Sequence, residues 1–426
     1  MTGNSTSPVW HPFTQHATAP APIKVAHAEG ARLWTTDHDI IIDAISSWWV
    51  VTHGHGHRKI MAAIKDQADR LDQVIFAGFT HEPAEALARE LIELVPPGLT
   101  RVFYSDSGST AVEVALKMAL GTFHNRGEKR TRILSLEHGY HGDTIGTMAA
   151  GARGVFNAAY APLLYDVTRI PFPVAGQEQT TFDAIDAACR TGDVAAMIVE
   201  PLILGAGGML MYAPTALAEM ARIVRHYGAL FIADEVMTGW GRTGTLFASE
   251  QAGPVPDLLC LAKGLTGGAI PLAATLATEE IFDAHFSEDR SKTFFHSSSY
   301  TANPIACAAA LANVKVWRQE PVLARIKTLT EMQRRRLAAL GTDNRFRNIR
   351  QLGTIAALDI DVPDGGYLAR IGPALQRHAL SMGVLLRPLG NTVYVMPPYC
   401  ISSDDLDQVY RAIVAGEAFA RAGAAS

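Results

Sequence analysis

Cysteine is scarce and scattered. Cys189, Cys260, Cys307 and Cys400 are the only four in 426 residues, and none forms a C-x-x-C pair, so neither a zinc site nor a disulfide framework is expected. Reduced, mostly buried thiols are the expectation. Long apolar runs are lacking too, since the best of them, 195–204, carries Glu200 and Pro201 and falls short of the roughly 20 residues that span a bilayer. An excess of one charge is missing as well, with 37 Lys and Arg against 42 Asp and Glu and a net charge of −5, which draws the chain to neither nucleic acid nor an anionic membrane. Residues 1–8 have no basic segment followed by an apolar one, as a secretory signal would. A frayed start and a cytoplasmic location are expected.

What is present is a 48% hydrophobic, 19% charged composition, that of a compact enzyme with a small-molecule ligand, and a length that suggests two or three lobes. From about 83 to 276, short β-rich runs alternate with amphipathic helical stretches, the pattern of an α/β fold with a mostly parallel sheet and helices on both faces. Strands are predicted at 101–104, 132–136, 195–199, 229–233, 258–262 and 273–277, and helices at 109–125 and 214–227, where Pro214 suits a first turn. The ends differ. A hairpin at 32–43, strands at 351–359 and 392–396 and a closing helix at 404–423 assign 1–55 and 320–426 to one smaller α+β domain, beside a large domain at 56–319.

In open sheets of this kind ligands bind beyond the carboxyl ends of the strands, so the residues just after each strand carry the interest. F-I-A-D-E-V at 231–236 ends a buried strand with two carboxylates, and a buried unpaired charge there demands a cationic partner. Asp234 either caps the next turn or pairs with a protonated heterocyclic nitrogen, as the acid beside a pyridoxal-5′-phosphate (PLP) pyridinium does. L-L-C-L-A-K-G-L-T-G-G at 258–268 sets Lys263 between an apolar strand and a glycine-rich turn. It is either a surface lysine at a strand end or a desolvated amine made nucleophilic toward an aldehyde. Ser107-Gly108-Ser109 turns a strand into a helix, which is either a plain N-cap or an anion pocket suited to phosphate. In G-Y-H-G-D at 139–143, Tyr140 either packs in a glycine-rich loop or stacks on a flat ring, with His141 and Asp143 as supporting partners. The hydroxyls of Ser297, Ser298 and Ser299 form a second candidate phosphate clamp.

These segments, taken in order, resemble the class III aminotransferases, a subgroup of the fold-type I PLP transferases, over nearly the whole chain. D-E-V-x-T-G-W-G-R-T-G at 234–244 followed by the lysine of L-A-K-G-L-T-G-G looks like the family signature. W-H-P-F-T-Q at 10–15, S-S-W-W at 46–49, G-A-G-G-M-L-M-Y at 205–212 and R-P-L-G at 387–390 are similar to members that aminate 8-amino-7-oxononanoate in biotin synthesis. The resemblance implies that PLP is the cofactor, with Lys263 as its Schiff-base lysine, Asp234 on the pyridine nitrogen and Tyr140 over the ring. It implies phosphate contacts from Gly108, Ser109 and Ser299, with Ser298 and Ser299 reaching across from the second subunit of a homodimer. Phe13, Trp48, Trp49, Tyr140, Ser297 and Arg387 would face a small-molecule amino donor and a keto-acid acceptor, Arg387 taking the carboxylate and Arg242 standing as a second anchor.

Two departures stand out. Phe13 replaces the tyrosine of members that use S-adenosylmethionine as donor, while similar F-T-Q sequences occur in members that use lysine; S-adenosylmethionine remains the expected donor and lysine the alternative. Ser297-Ser298-Ser299 stands where G-P-T or G-H-T is usual. A broad ω-aminotransferase using pyruvate and an idle PLP-fold binding protein are the competing functions.

Overall fold

The computed structural model describes residues 7–253, 256–363 and 365–424, so most of the stretch expected to fray lies outside the described residues. Seven strands make the central sheet, in the order Leu99–Ser105, Ala273–Thr278, Leu258–Leu261, Leu230–Asp234, Val194–Val199, Arg132–Leu136 and Thr168–Ile170. Neighbours run parallel except Ala273–Thr278, which opposes both of its own. The α/β expectation holds. Val194–Val199 and Leu258–Leu261 are buried along their whole length, which is why they read as unbroken apolar runs rather than as an alternation.

The pleat sends alternate residues to opposite faces. Ile232 and Cys260 pack under Ala111, Val112 and Ala115 of helix Gly108–Asn125. Leu259 and Leu261 pack on the other face against Leu87 and Leu91 of helix Glu82–Leu94 and Ala310 of helix Pro304–Gln319. Phe231 meets Leu217 and Met220 of helix Pro214–His226, whose proline sits in the first turn. Helix Gly108–Asn125 begins where it does because Ser107 Oγ accepts the Thr110 N–H at 3.2 Å while Thr110 Oγ1 accepts the Ser107 N–H at 2.9 Å, a reciprocal capping box.

Both chain ends contribute to smaller sheets. Val25–Glu29, Arg32–Thr35 and Ile40–Asp43 form an antiparallel meander, and Ile40–Asp43 pairs in parallel with Val384–Leu385. Phe346–Leu352, Ile355–Ile360 and Thr392–Val395 form a second antiparallel sheet, and one apolar core joins Ile42, Leu358, Val393 and Ile413. Helix Ser403–Ala424 closes the chain.

One expectation is corrected: 351–359 is not a single strand. Phe346–Leu352 folds back on Ile355–Ile360, with Leu352 opposite Ile355. Gly353 makes the turn at φ +54°, and a Cβ there would run into the backbone of Thr243 and Gly244. The edge strand Thr168–Ile170 was not anticipated, because three residues are too short to show a period. All four thiols are free; Cys189, Cys260 and Cys307 are buried and Cys400 is at the surface. Among the described residues no helix is long and apolar enough to cross a membrane.

Candidate active site

Five strand ends converge on one cavity of about 410 Å³. Asp234 ends Leu230–Asp234, Glu200 follows Val194–Val199 and Lys263 follows Leu258–Leu261, while Tyr140 and the 107–109 turn come after Arg132–Leu136 and Leu99–Ser105. The parallel alignment sets all five ends on one side of the sheet.

Of the two roles foreseen for Asp234 the structure shows the turn cap, and its second carboxylate oxygen meets His141. Its Oδ1 accepts the Val236 N–H at 3.2 Å, a turn cap, and its Oδ2 lies 2.7 Å from His141 Nδ1. Because a carboxylate only accepts, the ring proton sits on Nδ1. Both side chains are almost fully buried, 4% and 1% exposed, so this contact fixes the carboxylate where it lines the cavity. Glu235, the other acid of the motif, has a different task. It accepts from Thr238 Oγ1 at 2.6 Å and from the N–H groups of Ala248 and Ser249 at 2.9 and 2.7 Å, and it ties a loop down away from the cavity.

Lys263 is half-buried with a positive φ of 46°, and its Nζ lies 5.6 Å from the Trp49 ring centroid. Burial pulls its amine below the usual lysine value, a shift that Asp234 and Glu200 partly oppose. Glu200 was not singled out from the sequence, although it stands after an apolar strand just as Asp234 does on the neighbouring one. Its Oε1 accepts the Tyr140 N–H and its Oε2 the Gly205 N–H, each at 2.9 Å. Burial raises its carboxyl to about 7.

At the phosphate-like end, Gly108 opens the helix, and a Cβ on it would meet Val236 Cγ1 at 2.5 Å. Ser109 Oγ accepts the Asp143 N–H at 3.2 Å and stitches the two loops together. The N–H groups of the first turn and the positive end of the helix dipole suit this turn to an anion. Tyr140 lines the cavity with its phenol toward Asp143; burial first, and that carboxylate second, push its pKa up.

Trp49 also lines the cavity, and its Nε1 donates to Tyr394 Oη at 2.9 Å. Beside it, the Arg387 guanidinium lies 4.6 Å from the Trp48 ring centroid and 6.0 Å from that of Phe13, and the two rings meet edge to face at 5.5 Å. Ser298 Oγ donates to Asp106 Oδ2 of its own chain at 2.9 Å, while Ser297 and Ser299 are exposed. None of the three lines the cavity within the single chain. Arg242, expected as a second anchor, stands outside the cavity lining. Its guanidinium is fully buried and donates to the carbonyls of Pro397, Trp49 and Val51 at 3.1, 3.4 and 2.9 Å, against the Tyr399 ring. With three of its N–H groups on backbone carbonyls it braces that turn, and it does not line the cavity.

Comparison with known proteins bears on this constellation. Residues 13–415 match the model of the family described as aminotransferase class-III. The chain belongs to the class-III aminotransferases. The adenosylmethionine-8-amino-7-oxononanoate aminotransferase of Synechococcus elongatus is 48% identical over 95% of this chain and 97% of its own length. The like-named protein of Geobacter sulfurreducens is 36% identical over 94% and 93%. Among solved structures, the enzyme of that name from Methanocaldococcus jannaschii superposes with a TM-score of 0.90 at 32% identity, covering 96% of this chain and 97% of that one. A PLP-bound amine transaminase from an uncultivated Pseudomonas species also gives 0.90, at 30% identity over 98% and 99%.

This class-III aminotransferase is therefore PLP-dependent, acting on a small-molecule amino donor and acceptor. Its own residues suit the cofactor: a pinned carboxylate for a protonated ring nitrogen, a helix N-terminus for a phosphate and a desolvated amine for an aldehyde border one cavity.

Proposed function

We propose that the enzyme transfers an amino group to 8-amino-7-oxononanoate, giving 7,8-diaminononanoate for biotin synthesis, with S-adenosylmethionine as donor and lysine as the alternative. The observation that carries this reading is the Arg387 guanidinium stacked on Trp48 and Phe13 beside Trp49, a carboxylate receptor set against aromatic walls that suit a long apolar keto acid. The names of the relatives in Synechococcus and Geobacter point the same way.

In this reading Asp234 holds the protonated ring nitrogen, Gly108 and Ser109 hold the phosphate, and Tyr140 covers the ring face. When bound, PLP supplies a sink for the electron pair released at the substrate Cα. Lys263, its basicity lowered by burial, takes the proton from that carbon and returns it on the other side of the transfer. Arg387 binds the acceptor carboxylate through a two-point contact that lysine would not reproduce. One pocket serves both substrates in turn. Ser298 and Ser299 of a second subunit complete the phosphate site, which makes the working unit a homodimer, and the enzyme acts in the cytoplasm. The domain division at 1–55, 56–319 and 320–426 belongs to the same proposal, supported by the pairing of Ile40–Asp43 with Val384–Leu385.

A broad ω-aminotransferase is the second reading, favoured by the equal TM-score of the Pseudomonas amine transaminase. An amino-donor screen separates the two: turnover of 8-amino-7-oxononanoate with S-adenosylmethionine or lysine is expected. Activity confined to simple amines and pyruvate would reject the first reading. The same screen on Phe13→Tyr reads out the missing hydroxyl, with S-adenosylmethionine gaining over lysine as donor.

A further inference from the structure

The S-S-W-W segment folds into a turn that side-chain-bearing residues resist. Ser46, Ser47 and Trp49 take φ of 54°, 60° and 67°, and Ser47 combines its angle with ψ −93°, outside the wells open to non-glycine residues. Such conformers persist only where their surroundings over-determine them. The surroundings here converge on Asp43, which is wholly buried. Its Oδ1 accepts the Ile45 N–H at 3.2 Å and its Oδ2 the Ser47 N–H at 2.6 Å, and the Ser47 hydroxyl donates at 3.4 Å. His55 Nε2 lies 2.8 Å from the same Oδ2 and is the donor of that contact, since a carboxylate only accepts. On its far side the turn is tied by Ser46 Oγ, which donates to Met396 O at 2.8 Å. The result is a pair of neighbouring tryptophans aimed apart: Trp49 borders the cavity of Lys263, and Trp48 lies under the Arg387 guanidinium.

We infer that Asp43, backed by His55, is a positioning residue that holds the Trp48–Trp49 turn in its strained shape and thereby sets the affinity for the keto-acid acceptor. The inference rests on the proposed role of those tryptophans as walls of the acceptor site. Asp43→Asn keeps the volume but turns one acceptor into a donor facing an N–H group. It should raise KM for 8-amino-7-oxononanoate about tenfold, the loss of a charge-assisted hydrogen bond, with kcat and cofactor absorbance near those of the parent. His55→Gln should move KM in the same direction by less. Adding Ser47→Gly to Asp43→Asn should bring KM back toward the parent value, because glycine takes this φ freely; a general loss of packing would not be rescued in this way. Parent-like KM in both Asp43→Asn and His55→Gln, alongside a raised KM in Trp48→Ala, would overturn the inference and spare the reading of the site. A rise in KM that Ser47→Gly leaves untouched would also overturn it. An unchanged KM in Trp48→Ala would reject the acceptor site itself, and the inference with it.

Discussion

Single residues divide here into those that touch chemistry and those that carry the cost of placing it. Lys263 does both. Its burial lowers the amine pKa, so below the ordinary lysine range the folded state binds fewer protons than the unfolded one, and at neutral pH the residue is a stability penalty. Lys263→Met is expected to cut transamination by a factor of about 10²–10⁴ while raising the Tm of the cofactor-free protein. Turnover that survives would remove Lys263 from the mechanism. His53 shows the same physics away from the site. Burial brings its pKa from 6.5 to about 4, so its contribution to stability is complete above pH 6.5 and is lost as pH falls from there to 4. Between pH 7 and pH 5 this costs about 2 kcal/mol. Urea titrations at the two pH values should show that loss in the parent and a smaller one in His53→Gln, whose amide can still reach the Asn313 Oδ1 that His53 Nε2 meets at 2.8 Å.

At the scale of elements, the strand ends were legible and the turn at Gly353 was not. Apolar strands followed by Asp234, Lys263 or a serine turn are visible because a fully buried strand leaves a continuous run and a charge at its end breaks it. Glu200 obeys that rule, but the proline after it reads first as an interruption. The hairpin at Gly353 stayed hidden because the residues on either side share the same β character, and only the approach of Thr243 and Gly244 demands glycine there. The helix that begins at Gly108 supplies a test at this scale. A methyl group there would press on Val236, a short side chain with little room to yield. Gly108→Ala should weaken PLP binding by about ten- to a hundredfold, measured by titration of the cofactor-free protein, and Val236→Ala in the same chain should restore most of it. No change in the cofactor Kd would mean that this turn does not hold the phosphate.

For the whole molecule the open matter is the second subunit. Ser299 is exposed and Ser298 bonds its own Asp106 at the rim of the site, an arrangement in which a neighbouring copy would complete the phosphate cradle. If it does, each site combines Lys263 of one chain with Ser299 of the other. Mixing Lys263→Ala protein with a Ser299→Arg variant, each inactive alone, should regenerate hybrid dimers with one intact site and up to about a quarter of parental activity. Sites that lie wholly within one chain would give no recovery.

By itself the sequence determined which strand ends border the cavity, because the pattern of buried strands is local and a charged residue closing an apolar run is conspicuous without any fold. Its motifs at 234–244 and 261–268 also carried the resemblance to the class III aminotransferases. Only the tertiary structure decided what each charge faces. Arg387 and Arg242 are both arginines in glycine-containing motifs, yet one stacks on Trp48 and Phe13, and the other donates to the carbonyls of residues 49, 51 and 397. Those carbonyls lie at 49–51 and at 397, far along the chain from Arg242 on either side, and meet it only on folding, so no local pattern could have told the two arginines apart.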